Sequence, residues 1–220
     1  MIERTTKTAN DVITSVNRQF GDESGTQITS SDVIRWLNDG QREIVLKNTE
    51  VNQAMVRINV TANQNAYPVL ANVPDIMVIH SIHFDGQIVR PMSFVQAQEQ
   101  IIQSDDTQTA SVPSFWYEYA GVINLWPMPS VTLAQGLTIF YSKAPTLITT
   151  TTAPLSVPDS YFKALVDYCT AQAHELDQDF ASANIKAQQF ETGIQVQANR
   201  TRSEDNMYPT ITLLSEDDIY

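Results

Sequence analysis

A chain of 220 residues is long enough for one sizeable domain or two small ones. It is 42% hydrophobic and only 17% charged, so it can bury a core. Its formal net charge of −12, from 13 basic and 25 acidic residues, argues against tight wrapping of nucleic acid, which needs Lys and Arg against phosphates. The remaining polar residues are mostly Gln, Thr, Asn and Ser, a surface that suits a protein covered by neighbours and equally an ordinary soluble domain. The single cysteine, Cys169, rules out an internal disulfide and reads as a small buried hydrophobe. The opening MIERTTKTANDV has no apolar signal-like core. No run approaches the ~20 apolar residues of a membrane span, so the expectation is a protein made in a cytoplasm.

In chain order, Ile2 to Phe20 is predicted as a helix, because Val12, Val16 and Phe20 recur at helical spacing. Gly21 and Gly25 break it. Thr29 to Asp32 is a capping-box-like start for a second helix, Asp32 to about Asn48, with Val33, Leu37 and Ile44 on one face. Gly40 either weakens this helix or marks close packing. From Met55 the period changes to two: Val56, Ile58 and Val60 alternate with polar residues. TANQNAYP is predicted as a turn, Ile76 to Phe84 as a strand and Asp85-Gly86 as a hairpin turn. Gln87 to Arg90 returns, and Ser93 with Gln96 opens a short helix. SDDTQTASVP is a polar loop before an aromatic strand, Phe115 to Tyr119. Val122 to Trp126 follows as a strand stopped by Pro127 and Pro129, and Leu137 to Tyr141 alternates as the next.

The chain then becomes helical again. Thr149 to Pro154 reads as a stiff linker, and Pro158 as a helix first position with Asp159 or Ser160 as alternative caps. Phe162, Leu165, Cys169, Ala173 and Leu176 form one predicted face; Phe180, Ala183, Ala187, Phe190 and Ile194 form the next. Asp177 to Asp179 is the turn between them. After Arg202 there are five acidic and no basic residues, together with apolar side chains unusual in a disordered tail. Ile211 and Leu213 alternate with Thr210 and Thr212, as in a strand that adds to a partner's sheet edge or packs back on its own subunit.

No phosphate loop, dinucleotide fingerprint, nucleophile elbow or zinc motif is present in the sequence. No catalytic, cofactor-binding or metal-ligating residue is therefore expected. His80 and His83 are three apart on a predicted strand, on opposite faces, and read as packed or surface histidines. His174 precedes Glu175 by one position, which is no helical pair. Asp177 and Asp179 read as turn and cap residues, and Asp105-Asp106 as part of a polar loop. The aromatic run Phe115 to Tyr119 reads as core packing and subunit contact rather than base stacking.

The order of several segments carries a resemblance. INLWPMPS, FYSKAP, LSVPDSYFKALVDYCTAQAHEL and KAQQFETGI follow one another in a way that resembles the head-to-tail adaptor (connector) proteins of tailed, especially short-tailed, bacteriophages. The strongly acidic, apolar end from Ser203 to Tyr220 departs from that pattern. The resemblance implies an α+β fold: a helical bundle from both chain ends, with an inserted antiparallel β-meander or barrel-like unit and an extended C-terminal tail. The expected boundaries are 1–54 and 146–202 for the bundle, 55–145 for the β unit and 203–220 for the tail. The implied function is structural and non-enzymatic: a ring of twelve copies in the virion neck, made in the host bacterial cytoplasm. Its implied partners are the portal protein, a tail tube or nozzle protein, further copies of itself, and genomic DNA passing without specific binding. No membrane partner and no cofactor are implied. On this reading Tyr208, Ile211, Leu213, Leu214, Ile219 and Tyr220 dock on the portal, and Phe115, Trp116, Tyr117 and Trp126 make inter-subunit or tail-side contacts. The alternatives are another neck or tail-completion protein and, from a different class, a small-ligand-binding module.

Overall fold

Helix boundaries in this protein are set by side chains that claim backbone N–H groups. The computed structural model describes residues 6–103 and 110–205. Its elements in chain order are α1 (Ala9–Phe20), α2 (Ser30–Lys47), β1 (Gln53–Val60), β2 (Ala66–Tyr67), α3 (Val69–Asn72), β3 (Ile76–Phe84) and β4 (Gln87–Pro91). Then come α4 (Phe94–Gln103), β5 (Phe115–Tyr119), β6 (Val122–Trp126), β7 (Leu133–Lys143), α5 (Phe162–Leu176) and α6 (Phe180–Asp205). The chain divides into two units, one from residues up to Gln41 and from Leu147 onward, the other Arg42–Thr146. The fold is therefore mixed α+β.

In the first unit α1 begins at Ala9, seven residues later than Ile2, the start its periodicity predicts. The Thr8 amide and hydroxyl donate to the Asp11 carboxylate at 2.8 and 3.0 Å. The Thr6 and Lys7 amides donate to Asp159 at 3.0–3.1 Å. Those N–H groups are committed outside a helix. The free amides of Ala9 and Asn10 are met by the Ala153 and Thr151 carbonyls at 3.0 and 2.7 Å, which satisfies the open end of α1. Asp159 is thus drawn to Thr6 and Lys7 rather than capping α5, and a 3₁₀ turn over Asp159–Tyr161 leads into that helix.

Asp22 organises the next loop. Its carboxylate is almost fully buried and accepts the amides of Thr26, Gln27 and Ile28 at 2.7–3.1 Å, with the Ser24 hydroxyl at 3.0 Å. These donors hold its pKa down to about 2. Thr29 and Asp32 then form the expected capping box: the Thr29 hydroxyl donates to Asp32 at 2.6 Å and accepts from the Asp32 amide at 3.3 Å.

Helix α1 packs on α5, and α5 on α6. Leu165, Cys169 and Ala173 of α5 are buried as their spacing predicts, but Leu176 is 62% exposed. On α6, Ala183, Phe190 and Ile194 are buried while Phe180 and Ala187 are exposed. Asp179 caps α6 by accepting the Ser182 amide at 3.2 Å, and Gln178 takes a left-handed φ of 62° in the turn. Gly40 proves to be a packing residue: a Cβ there would lie 2.9 Å from Tyr168 Cδ1 and 3.3 Å from Leu165 Cδ2.

The second unit holds a seven-stranded sheet in the order β1-β7-β3-β4-β5-β6-β2. It is mixed rather than wholly antiparallel, because β4 and β5 pair in parallel through Arg90↔Phe115 and Pro91↔Trp116. Helix α4 and the segment after it separate these two strands, so they are not a hairpin. The order is linear, with β1 and β2 at its ends, and the expected antiparallel β-meander or barrel-like unit is a curled mixed sheet. Ala66-Tyr67, predicted as turn, pairs with Asn124-Ile123 of β6. Buried Tyr67 donates its hydroxyl to the Gln64 carbonyl at 2.9 Å. The hairpin turn at Asp85-Gly86 is present with φ 47° and 80°. The core gathers Val60, Ile82, Phe84, Val89, Ile123, Leu125, Leu137, Ile139 and Tyr141.

Gly40→Ala tests the packing. Alanine favours a helix by ~1 kcal/mol over glycine, whereas a group forced into a filled site costs ~1–3 kcal/mol. The variant is expected to melt several degrees lower by calorimetry; an unchanged or higher Tm would show that Tyr168 gives way freely. Asp22→Asn tests the loop. The folded pKa lies below the ordinary carboxylate value, so the stabilisation is full above pH ~5 and is lost as pH falls through about 2. The Tm gap between parent and variant should therefore be widest near neutrality and narrow from pH ~4 downward. A gap constant to pH 2 would assign the loop to shape rather than charge.

Candidate functional site

The register of β5 and β6 sorts the aromatic residues onto two faces. Phe115 lies opposite Trp126, Tyr117 opposite Asn124 and Tyr119 opposite Val122, while Trp116 lies opposite Leu125. Side chains alternate along a strand, so Phe115, Tyr117, Tyr119 and Trp126 share one face and Trp116 points the other way. Trp116 packs against the core cluster. Tyr117 is only 8% exposed, and burial pushes its phenol above its ordinary value. The four contact residues expected from sequence therefore do not form one patch. Phe115 and Trp126 remain partly open.

Sequence reasoning missed the partner of this face. Phe94, at the start of α4, stacks on Tyr119 with ring centroids 4.6 Å apart and lies 6.1 Å from Tyr117. The start of α4 is set by Ser93 and Gln96, whose reciprocal bonds are 3.1 and 3.3 Å. Tyr119 is 58% exposed, and Val95 beside Phe94 is also exposed. The result is an aromatic surface on β5, β6 and α4.

A second surface lies along the helical hairpin. Ile185 and Val196 of α6 are 58% and 57% exposed. With Gln188, Gln189, Thr192 and Gly193 they form one wall of a groove of about 550 Å³, whose other wall is Ser160, Lys163, Ala164 and Asp167. Asp167 is buried and pairs with Lys186 at 2.9 Å; Lys186 also reaches Gln19 at 2.8 Å. That pair joins α5 to α6 and has no counterpart in the sequence pattern, since the residues are nineteen apart.

The polar residues weighed as chemistry are engaged structurally. His80 Nε2 lies 2.7 Å from Ser142 Oγ; His83 Nε2 lies 3.3 Å from Ser81 Oγ, with its ring against Phe140. His174 sits 3.6 Å from the Asp179 carboxylate across the hairpin turn and against the Phe20 ring. Hydrogen bonds from Ser182 hold the Asp179 carboxyl below the usual range. Cys169 is fully buried, which pushes its thiol far above the ordinary value. Among the described residues no group of three or more His, Cys, Asp or Glu side chains could hold a metal ion. No helix there is long and apolar enough to cross a membrane. Asp105-Asp106 and the expected portal-docking residues Tyr208, Ile211, Leu213, Leu214, Ile219 and Tyr220 lie outside the described residues.

Comparison with curated proteins gives no match. A family model described as SU10 adaptor protein matches residues 7–212, a span that takes in both units and every described element from α1 to α6. The chain therefore belongs to the SU10 adaptor family and is a phage head-to-tail adaptor protein.

Proposed function

We propose that this protein forms a ring under the portal, joins it to a tail tube or nozzle protein, and extends the channel through which the genome passes. The observation that carries this reading is the family match over residues 7–212. In the ring, of twelve copies, segments 1–54 and 146–202 supply the helical body of each subunit. The β unit, 55–145, makes lateral and tail-side contacts, and the tail from Tyr208 docks on the portal. The inter-subunit or tail-side contacts are made around Phe115, Trp116, Tyr117 and Trp126, with Phe115 and Trp126 partly open on the same face as exposed Tyr119. A net charge of −12 around a channel repels DNA and lets it slide rather than bind.

The tail anchors are Tyr208, Ile211, Leu213, Leu214, Ile219 and Tyr220. Each buried apolar side chain contributes ~1.5–3 kcal/mol, and repetition around a ring multiplies the hold without new contacts. The protein acts by position and assembly, with no catalytic step.

Sedimentation velocity of the purified chain, alone and with portal rings of the same phage, tests this. Co-sedimentation at a fixed, ring-like stoichiometry is expected. A slow monomer that ignores the portal would overturn the reading. Helix α6 runs through Asp205, so a chain ending there should keep its helical circular dichroism and Tm yet lose portal binding by at least ~10-fold. Undiminished binding by that truncated chain would remove the tail from the contact.

A further inference from the structure

We propose that the groove between α5 and α6 seats the chain's own C-terminal segment, residues 206–220, before assembly, and that docking on a partner draws the segment out. The second half rests on the portal-docking reading above; the first half does not.

The groove is open and is lined by polar residues together with Ala164, Ile185, Gly193 and Val196. Ile185 and Val196 are eleven residues apart on α6, three helical turns, and so lie on one side with Gln189 and Thr192 between them. None of these four is charged, although the chain as a whole is strongly acidic. More than half of each of Ile185 and Val196 is exposed, in a helix whose opposite stripe, Ala183, Phe190 and Ile194, is buried. Two large apolar side chains thus stand open in an uncharged row.

Its size selects the occupant. A helix with side chains is ~10–12 Å across, so a single turn already fills about 500 Å³. A groove of about 550 Å³ seats a short extended segment with a few apolar side chains better than a helix of a second copy. Residues 206–220 have that character: Ile211, Leu213 and Leu214 lie within a few positions, and Pro209 opposes a simple continuation of α6.

The reach agrees. At 1.5 Å per residue, Val196 lies ~14 Å and Ile185 ~30 Å back along α6 from Asp205. A reversed, extended segment covers up to ~3.3 Å per residue, so Ile211 to Leu214 come level with the Val196 to Ile185 span.

The test is disulfide trapping in the full chain carrying Val196→Cys and Leu213→Cys, under mild oxidation at low concentration. Native Cys169 is buried and does not compete. A control pairs Leu213→Cys with Leu176→Cys, an exposed position at the far end of the hairpin. The groove pair is expected to close within single chains at least ~10-fold faster than the control. Equal rates would overturn the proposal. Disulfide-linked dimers in place of closed monomers would overturn it too and assign the groove to a second copy. Portal rings are then added: slowed closure supports release on docking. Closure that ignores the portal keeps the groove seat and removes the docking half. Tail-dependent portal binding without any closure removes the groove seat alone.

Discussion

Strand β7 is shared by both of its neighbours, and the second unit depends on that sharing. Its eleven residues pair with β1 from Gln53 to Val60 and with β3 from Ile76 to Phe84. A strand paired on both edges leaves few backbone donors or acceptors unmet, so it can be buried. Leu137, Ile139 and Tyr141 on one of its faces enter the core with Val60, Ile82 and Phe84. At its end the fully buried Ser142 donates its hydroxyl to the Thr49 carbonyl and lies against His80. A slip of one residue would turn the core face outward. The irregularity opposite Ile58 and Val60 places extra residues on β7, between Leu133 and Leu137, whereas those between Ile76 and Val78 and between Ile79 and Ser81 place the extra residue on β3.

The first unit is fastened differently, by carboxylates. Asp11, Asp22, Asp159 and Asp179 each accept hydrogen bonds from nearby amides or hydroxyls, and each has its carboxyl pulled below the ordinary range by those bonds. Part of the acidity of this chain is thus structural. The Asp167–Lys186 pair between α5 and α6 is of another kind. It is nearly buried on the acidic side, so its attraction is offset by lost solvation, and it acts as a register mark between two alanine-rich helices more than as a source of stability.

Both open surfaces follow from this scaffold. On the aromatic face of β5 and β6, Phe94 at the start of α4 packs against Tyr117 and Tyr119, and Tyr119 stays exposed. The α6 groove is open because α5 takes just one stripe of a 26-residue helix. An adaptor of the SU10 family has to meet more than one neighbour, and surfaces that are apolar or neutral yet held on rigid elements cost little ordering entropy on assembly.

The sequence by itself determined the element types, most strand and helix positions, the capping boxes at Thr29 and Ser93, the Asp85-Gly86 and Asp177 to Asp179 turns, and the family. Those signals are local: a period of two or 3.6, a cap three residues from its partner, a glycine where φ is positive. Tertiary structure decided where α1 starts, because Thr6 and Lys7 answer to Asp159, more than 150 residues away. It also decided that Ala66-Tyr67 joins the sheet, that β4 meets β5 in parallel, and that Trp116 faces the core while Trp126 does not. A short segment or a parallel pair has no periodic signature of its own; its state is set by which distant strand offers it hydrogen bonds, and no local pattern encodes that choice.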